Sequence, residues 1–220
     1  MKRYGFTLAE TLVTLGIIGV VSAITLPILT KNYQKFVVKN QIKKSYNLIS
    51  NAVNAVATDE NFLHGCYYGR DNGISTNNSE CLEFFEAITK KLNVKKYCPN
   101  KSFQNGCVPA YKEENLSLTE GCGGFKAENI KNICSSAMLN DGTIIILYRK
   151  SEKYNSMPII AIDVNGFRGP NKQGQDIYAF QLKAKYNNFP MIGTDIVSCL
   201  TPPNGNLDNF WFTKLSEIMK

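Results

Sequence analysis

The chain has 220 residues, long enough for one domain with a real core plus additional segments. Hydrophobic residues make up 44% and charged residues 20%, a balance that argues against disorder throughout. Lysine and arginine number 25 against 18 acids, giving +7. The cations are scattered or in short pairs such as Lys43-Lys44, Lys90-Lys91 and Lys95-Lys96, so no nucleic-acid partner is expected.

Lys2 and Arg3 precede an apolar run, FTLAETLVTLGIIGVVSAITL, from Phe6 to Leu26. A run of about 20 mostly apolar residues is the length needed to cross a bilayer as a helix. Gly16, Gly19 and Ser22 recur every third residue and form a small-residue strip that permits close helix approach. Glu10 is the anomaly. A carboxylate in hydrocarbon must be neutralised or paired. Pro27 ends the run and should kink or loosen a helix, because it lacks an N–H and crowds the preceding turn.

Helical periodicity continues past Pro27. Ile42, Tyr46, Ile49, Val53 and Val56 step by four and three along one face, with Lys39, Gln41, Lys43, Lys44, Asn47 and Asn54 around them. Residues 6 to 58 therefore read as one long helix, of about 80 Å at 1.5 Å per residue. Its residues 6–27 are lipid-like and its residues 28–58 amphipathic.

The stretch GFTLAETLVTLGIIGVVSAITLP resembles the N-terminal cleavage and methylation motif of type IV prepilins and type II secretion pseudopilins. The resemblance implies a leader of residues 1–5, cleavage by a prepilin peptidase after Gly5, and methylation of the new N-terminal Phe6. Glu10 then becomes the fifth mature residue, the acid thought to meet the amine of a neighbouring subunit, and Pro27 the helix-loosening proline. It also implies residence in the bacterial inner membrane as a single pass, with the C-terminal domain outside the cytoplasm. The implied partners are other pilins or pseudopilins, in a homo- or hetero-oligomer, and the assembly platform of a pilus or secretion machinery. Two plainer readings share the same residues. An ordinary secretory signal would end at the A-x-A-like Val21-Ser22-Ala23, and an uncleaved anchor would keep Met1.

Residues 59–139 show little periodicity. TDENFLHGCYYGRDNGISTNNSEC reads as loop, and SECLEFFEAITKKLNV as a short helix capped by Ser79, with Leu82, Phe85, Ile88 and Leu92 on its apolar face. The seven cysteines are Cys66, Cys81, Cys98, Cys107, Cys122, Cys134 and Cys199, all beyond the apolar run. With no C-x-x-C and one histidine, His64, a Cys/His zinc set is not expected. Scattered spacing behind an export-like N-terminus favours disulfides in an oxidising compartment, with the connectivity open. The odd count leaves one cysteine unpaired or pairing between chains.

From Asn140 to the end, three strands stand out: TIIILYRK after the turn Asn140-Asp141-Gly142, MPIIAIDV at 157–164 and DIYAFQLK at 176–183. The expected fold is α+β and pilin-like. A long N-terminal helix, its first half membrane-embedded, packs on a C-terminal antiparallel sheet with a disulfide-rich loop insertion. Ile42, Ile49 and Val53 should meet the inner face of that sheet. The tail residues Phe210, Trp211, Phe212 and Leu215 are expected to close the core.

The loop DVNGFRGPNKQGQD presents Asp163, Asn165 and Asp176, hard oxygen donors able to converge on calcium. The resemblance implies calcium in a C-terminal loop for some family members. The loop lacks the spacing and distal Glu of an EF-hand, and Asn-Gly and Pro-Asn are ordinary turn formers, so both readings stand. No other cofactor is expected.

Catalytic chemistry has little support. His64 and Cys66 pair only on paper, and G-x-S-x-G, H-E-x-x-H and the phosphate-binding P-loop are all missing. The expected function is that of a structural filament subunit and not an enzyme. A membrane-anchored or secreted disulfide-rich binding domain is the rival.

Overall fold

The structure, a computed structural model of the full chain, describes residues 5, 7–58, 78–116, 126–148, 159–184, 190–196, 211–212 and 215–220. For residues 57, 78–81, 148, 181–184 and 190–196 only the backbone is described. Two compact units result, Met1–Val37 and Val38–Lys220.

The first unit is the leading part of helix α1, Leu8–Ala57. Among the described residues, α1 is the one helix long and apolar enough to cross a membrane. Its large side chains are bare here: Leu12, Val13, Leu15, Ile17, Ile18, Val20, Ile24, Leu26, Ile28 and Leu29 are all exposed. Every threonine of this stretch turns its hydroxyl onto backbone or its own helix end. Thr11 donates to Leu8 O (2.8 Å), Thr14 to Thr11 O (2.9 Å), Thr25 to Val21 O (2.9 Å) and Thr30 to Leu26 O (2.8 Å). That back-bonding leaves these hydroxyl donors paired on an otherwise apolar surface. Pro27 lies inside α1, and the helix continues through it.

The second unit is an α+β domain. Its elements after α1 are α2 (Asn78–Lys90), β1 (Val94–Cys98), α3 (Glu113–Leu116), α4 (Ala127–Asn132) and β2 (Ser135–Leu139). There follow β3 (Ile144–Tyr148), β4 (Ile159–Asp163), β5 (Ile177–Ala184), β6 (Pro190–Ile196) and α5 (Leu215–Met219). The strands form one antiparallel sheet in the order β1-β2-β3-β4-β5-β6, so each pairs with its sequence neighbour.

The sheet is covered on both faces. On one, Ala137, Leu139, Ile145, Leu147, Ile160, Ile162, Tyr178 and Phe180 pack with Ile42, Tyr46, Ile49, Val53 and Val56 of α1 and with Phe84, Phe85 and Ile88 of α2. The expected stripe on α1 is thus buried as a whole, and Tyr46 meets Phe180 edge-on with ring centroids 5.1 Å apart. Phe212, Leu215 and Ile218 close the same cluster, as expected of the tail; Phe210 lies outside the described residues. On the other face, Ile144, Ile146, Ile159, Ala161, Ile177 and Ala179 pack under Val108, Tyr111, Leu116, Ala127, Ile130 and Cys134. Burial on both sides explains why IIIL and IIAI are unbroken apolar runs without alternation.

Several details differ from expectation. The helix begins at Leu8 rather than residue 6 and ends at Ala57. Ser79 lies inside α2, which starts at Asn78, so it does not cap that helix. The stretch 59–139 also supplies β1 and β2, so the sheet starts before residue 140. Strand β2 hides its polarity by pairing it. Ser135 donates to Pro99 O (2.8 Å), and Ser136 donates to Ser102 Oγ (2.7 Å), which in turn donates to Cys134 O (2.7 Å). Buried hydroxyls in such a chain cost little once satisfied, and they disguise a core strand as loop.

Candidate functional site

The N-terminal segment was expected to carry the site, and its geometry begins at Gly5. This residue is exposed and lies outside the helix, and among the described residues nothing comes within 4 Å of where a Cβ would stand. Gly16 and Gly19 are equally unhindered. Phe6 lies outside the described residues.

Thr7 and Glu10 form a reciprocal pair around the first turn of α1. The Thr7 backbone N–H donates to Glu10 Oε2 (2.8 Å), the Thr7 hydroxyl donates to the same oxygen (2.8 Å), and the Glu10 N–H donates to Thr7 Oγ1 (3.3 Å). Thr-x-x-Glu at a helix start is the capping-box arrangement, which satisfies two of the orphan N–H groups there. This box fixes the first helical residue as Leu8. The sequence T-L-A-E carries the signal of this cap, in which the same Glu10 is both the acid of the apolar run and the third helical residue.

The second expected site, the loop between β4 and β5, brings its three named residues into one network. Asp163 is fully buried. Its Oδ1 accepts from the N–H groups of Asn165 (3.3 Å) and Gly166 (2.7 Å), and its Oδ2 from the Tyr111 hydroxyl (2.8 Å). With its amide nitrogen turned inward, Asn171 adds a bond to Asp163 Oδ2 (3.2 Å) and another to Gly166 O (2.6 Å). Asp176, also fully buried, accepts from the N–H groups of Asn171 (2.7 Å) and Lys172 (2.6 Å). Asn165 Nδ2 donates to Gly169 O (2.6 Å), and its Oδ1 has no partner among the described residues. Gly166 holds φ +54°, and a Cβ there would stand 2.3 Å from Gly142 O, so this position demands glycine.

Burial, followed by the charge of Asp176, pushes the Asp163 carboxyl up to about 7 against the bonds that favour its ionised form. Burial raises Asp176 as well. The Tyr111 hydroxyl is held well above its ordinary value by burial and then by Asp163's charge.

In its ionised form Asp163 accepts four hydrogen bonds, from Asn165, Gly166, Tyr111 and Asn171. Asp176 and Asn165 retain some capacity, yet among the described residues no group of three or more His, Cys, Asp and Glu side chains is placed to hold a metal.

Of the cysteines, Cys98 and Cys107 form a disulfide that closes the segment after β1. Cys134 is buried in the second core cluster, and Cys81 falls within α2. Cys66, Cys122 and Cys199 lie outside the described residues, as does His64.

No curated protein and no solved structure matches the chain. Residues 1–26 match the family model described as the prokaryotic N-terminal methylation motif. The match covers Gly5, Glu10 and most of the bare half of α1. With this motif at the head of an apolar helix, residues 1–26 are similar to the N-terminal segment of type IV prepilins and pseudopilins and support a family of that type.

Proposed function

We propose that the protein is a structural subunit, a pilin or pseudopilin, that polymerises into a type II secretion pseudopilus or a type IV pilus. A prepilin peptidase cuts between Gly5 and Phe6 and methylates the Phe6 amine. Before assembly the subunit resides in the bacterial inner membrane as a single pass, its C-terminal domain outside the cytoplasm. An assembly platform then moves it into an extracytoplasmic filament with copies of itself or with related subunits.

The observation that carries this reading is a helix of two characters. Residues 8–29 expose an apolar surface with unhindered Gly16 and Gly19, while residues 38–56 bury theirs in a domain of their own. A bare apolar helix needs a solvent, and hydrocarbon followed by neighbouring helices supplies one at each stage. Within that setting Glu10 is the assembly contact, its carboxylate compensated by the Phe6 amine of a neighbouring subunit. Catalysis has no part in the work. The β4–β5 loop needs no cation: calcium titration should leave the unfolding temperature unchanged, and a clear rise would restore the metal.

The deciding measurement is the mature N-terminus by mass spectrometry. N-methylated Phe6 supports the subunit reading. A start at Ile24 identifies a secretory signal and retained Met1 a plain anchor, and either overturns it. Glu10→Leu should still insert and be processed but should not enter filaments.

A further inference from the structure

We propose that Lys31 and Lys35, together with Tyr33 and Phe36, form a collar on α1 that binds the phosphates of anionic lipid headgroups at the outer face of the membrane. The inference rests on the reading of residues 8–29 as a membrane span and adds a ligand to it. From Thr11 to Thr58 the chain holds five lysines and no acid. Two of the five serve the domain: Lys43 donates to Met219 O (2.9 Å) and Lys44 to Asp141 (2.8 Å). Lys31 and Lys35 precede the domain, in the first unit, and both are exposed. Tyr33 at 67% and Phe36 at 61% are as bare as the apolar residues before them.

Spacing along the helix decides what these side chains meet. Residues 8–29 rise about 33 Å at 1.5 Å per residue, close to the ~30 Å of a bilayer's hydrocarbon. Headgroups add about 5–8 Å on each side. Lys31 lies about 3 Å beyond Leu29 and Lys35 about 9 Å, so the two bracket that layer. Four residues apart, they share one face of α1, and Tyr33 and Phe36 lie across the helix from them. The chemistry suits the depth: each lysine carries an ammonium on a long apolar stem, and Tyr33 is apolar in its body and polar at its tip. The one acid of α1, Glu10, stands about 30 Å from Lys31 along the axis, too far to supply a counter-charge. Charge complementarity therefore points to an anionic surface, and the one that lies at this depth is the phosphate layer of an anionic phospholipid. Such a contact fixes the height of the helix in the bilayer.

The test uses the full chain, purified from membranes and reconstituted in vesicles of equal parts phosphatidylcholine and phosphatidylglycerol. The readout is the association of spin-labelled phosphatidylglycerol relative to its phosphatidylcholine analogue. Wild type should prefer phosphatidylglycerol. Lys31→Gln combined with Lys35→Gln should lower that preference about threefold to tenfold, toward equality. Lys31→Arg with Lys35→Arg should keep it, and raised salt should weaken it. Lys95→Gln with Lys96→Gln, in the edge strand of the domain, should leave it at the wild-type value.

A wild type that stays in the vesicles through alkaline extraction yet shows no preference overturns this inference alone. An equal fall on replacing Lys95 and Lys96 overturns it too, since the effect would be one of overall charge. So does an unchanged preference when Lys31 and Lys35 are glutamine; lost filament incorporation by that same variant in cells would then hand the two lysines to a protein partner. A wild type that alkaline extraction strips from the vesicles removes the reading of residues 8–29 as well.

Discussion

Helix α1 holds two apolar surfaces of opposite fate. Between Leu8 and Leu29 the large side chains stand bare, Leu15 at 66% exposure and Ile17 at 59%, whereas Ile42, Ile49 and Val53 are at 0%. Their residue types are nearly the same. What differs is periodicity. The second half confines its apolar residues to one stripe and sets lysines and asparagines around it, so one sheet face can cover it. The first half is apolar all round, and no single partner surface could cover it. A stripe is an instruction to pack on one thing; an apolar cylinder is an instruction to be surrounded.

The sharpest test of that contrast exchanges nothing but size. Ile49→Ala should cost about 2–5 kcal/mol of domain stability by leaving a cavity between helix and sheet. Ile17→Ala should leave the domain's unfolding within about 0.5 kcal/mol of wild type. Denaturant unfolding of the full chain in mild detergent, followed by the near-ultraviolet signal of the domain aromatics, distinguishes the two. Equal effects would end the distinction.

Next in size is the clamp behind the sheet. Replacing Cys98 and Cys107 by serine should lower stability by about 2–3 kcal/mol through the freed chain entropy of a short loop. The loss should appear in the domain only. Membrane retention of the variant in a fractionation should equal wild type, because the proposed anchor is the bare half of α1 and not the domain.

The domain should also respond to pH. Asp163 has a folded-state value of about 7, raised by burial and by Asp176, against about 3.9 when unfolded. Between these values the folded state holds a proton that the unfolded state has released. The stability this supplies is complete below about pH 4 and is lost as pH rises through about 7, up to about 1–3 kcal/mol. Thermal unfolding should therefore fall from pH 5 to pH 8, and Asp163→Asn should flatten that slope. A slope unchanged in Asp163→Asn would assign the dependence elsewhere.

Smallest is the ion pair of Lys44 with Asp141, at 2.8 Å and well exposed on the lysine side. Burial alone would raise Asp141, but the bond and charge of Lys44 and the bonds of Thr143 hold it below the usual carboxylate range. Lys44→Ala should cost about 0–1 kcal/mol, less at high salt. A larger loss would mean that this link, and not the apolar stripe, fastens α1 to the β2–β3 hairpin.

Much of this was legible in the residues, and the reason is locality. The membrane-like run, the stripe from Ile42 to Val56, and strands β3, β4 and β5 all declare themselves within a window of a few turns or one strand. The disulfide partners, by contrast, required the fold. Strands β1 and β2 were hidden because VKKYC is an edge strand with Lys95 and Lys96 outward, and SSAML carries two serines satisfied by Pro99 and Ser102. Strand β6, PMIGTDI, carries a proline, a glycine and an acid and lies at the other edge. At the N-terminus the motif was plain, yet the bond pattern of Glu10 was not, since a capping box and a buried charge use the same letter. In the β4–β5 loop Asp163, Asn165 and Asp176 fall in one hydrogen-bond network, and Asp163 is also bonded by Asn171 of the same loop and by Tyr111 from the segment after β1, a partner distant in sequence.

The strict order of the sheet has one more consequence. Each strand pairs with the strand before it, and the first covering layer, α1, is also first in the chain. A polypeptide that emerges N-terminus first can add every strand to an edge already in place. No strand has to be held unpaired for a partner still to come, so the apolar runs IIIL and IIAI each meet a waiting neighbour.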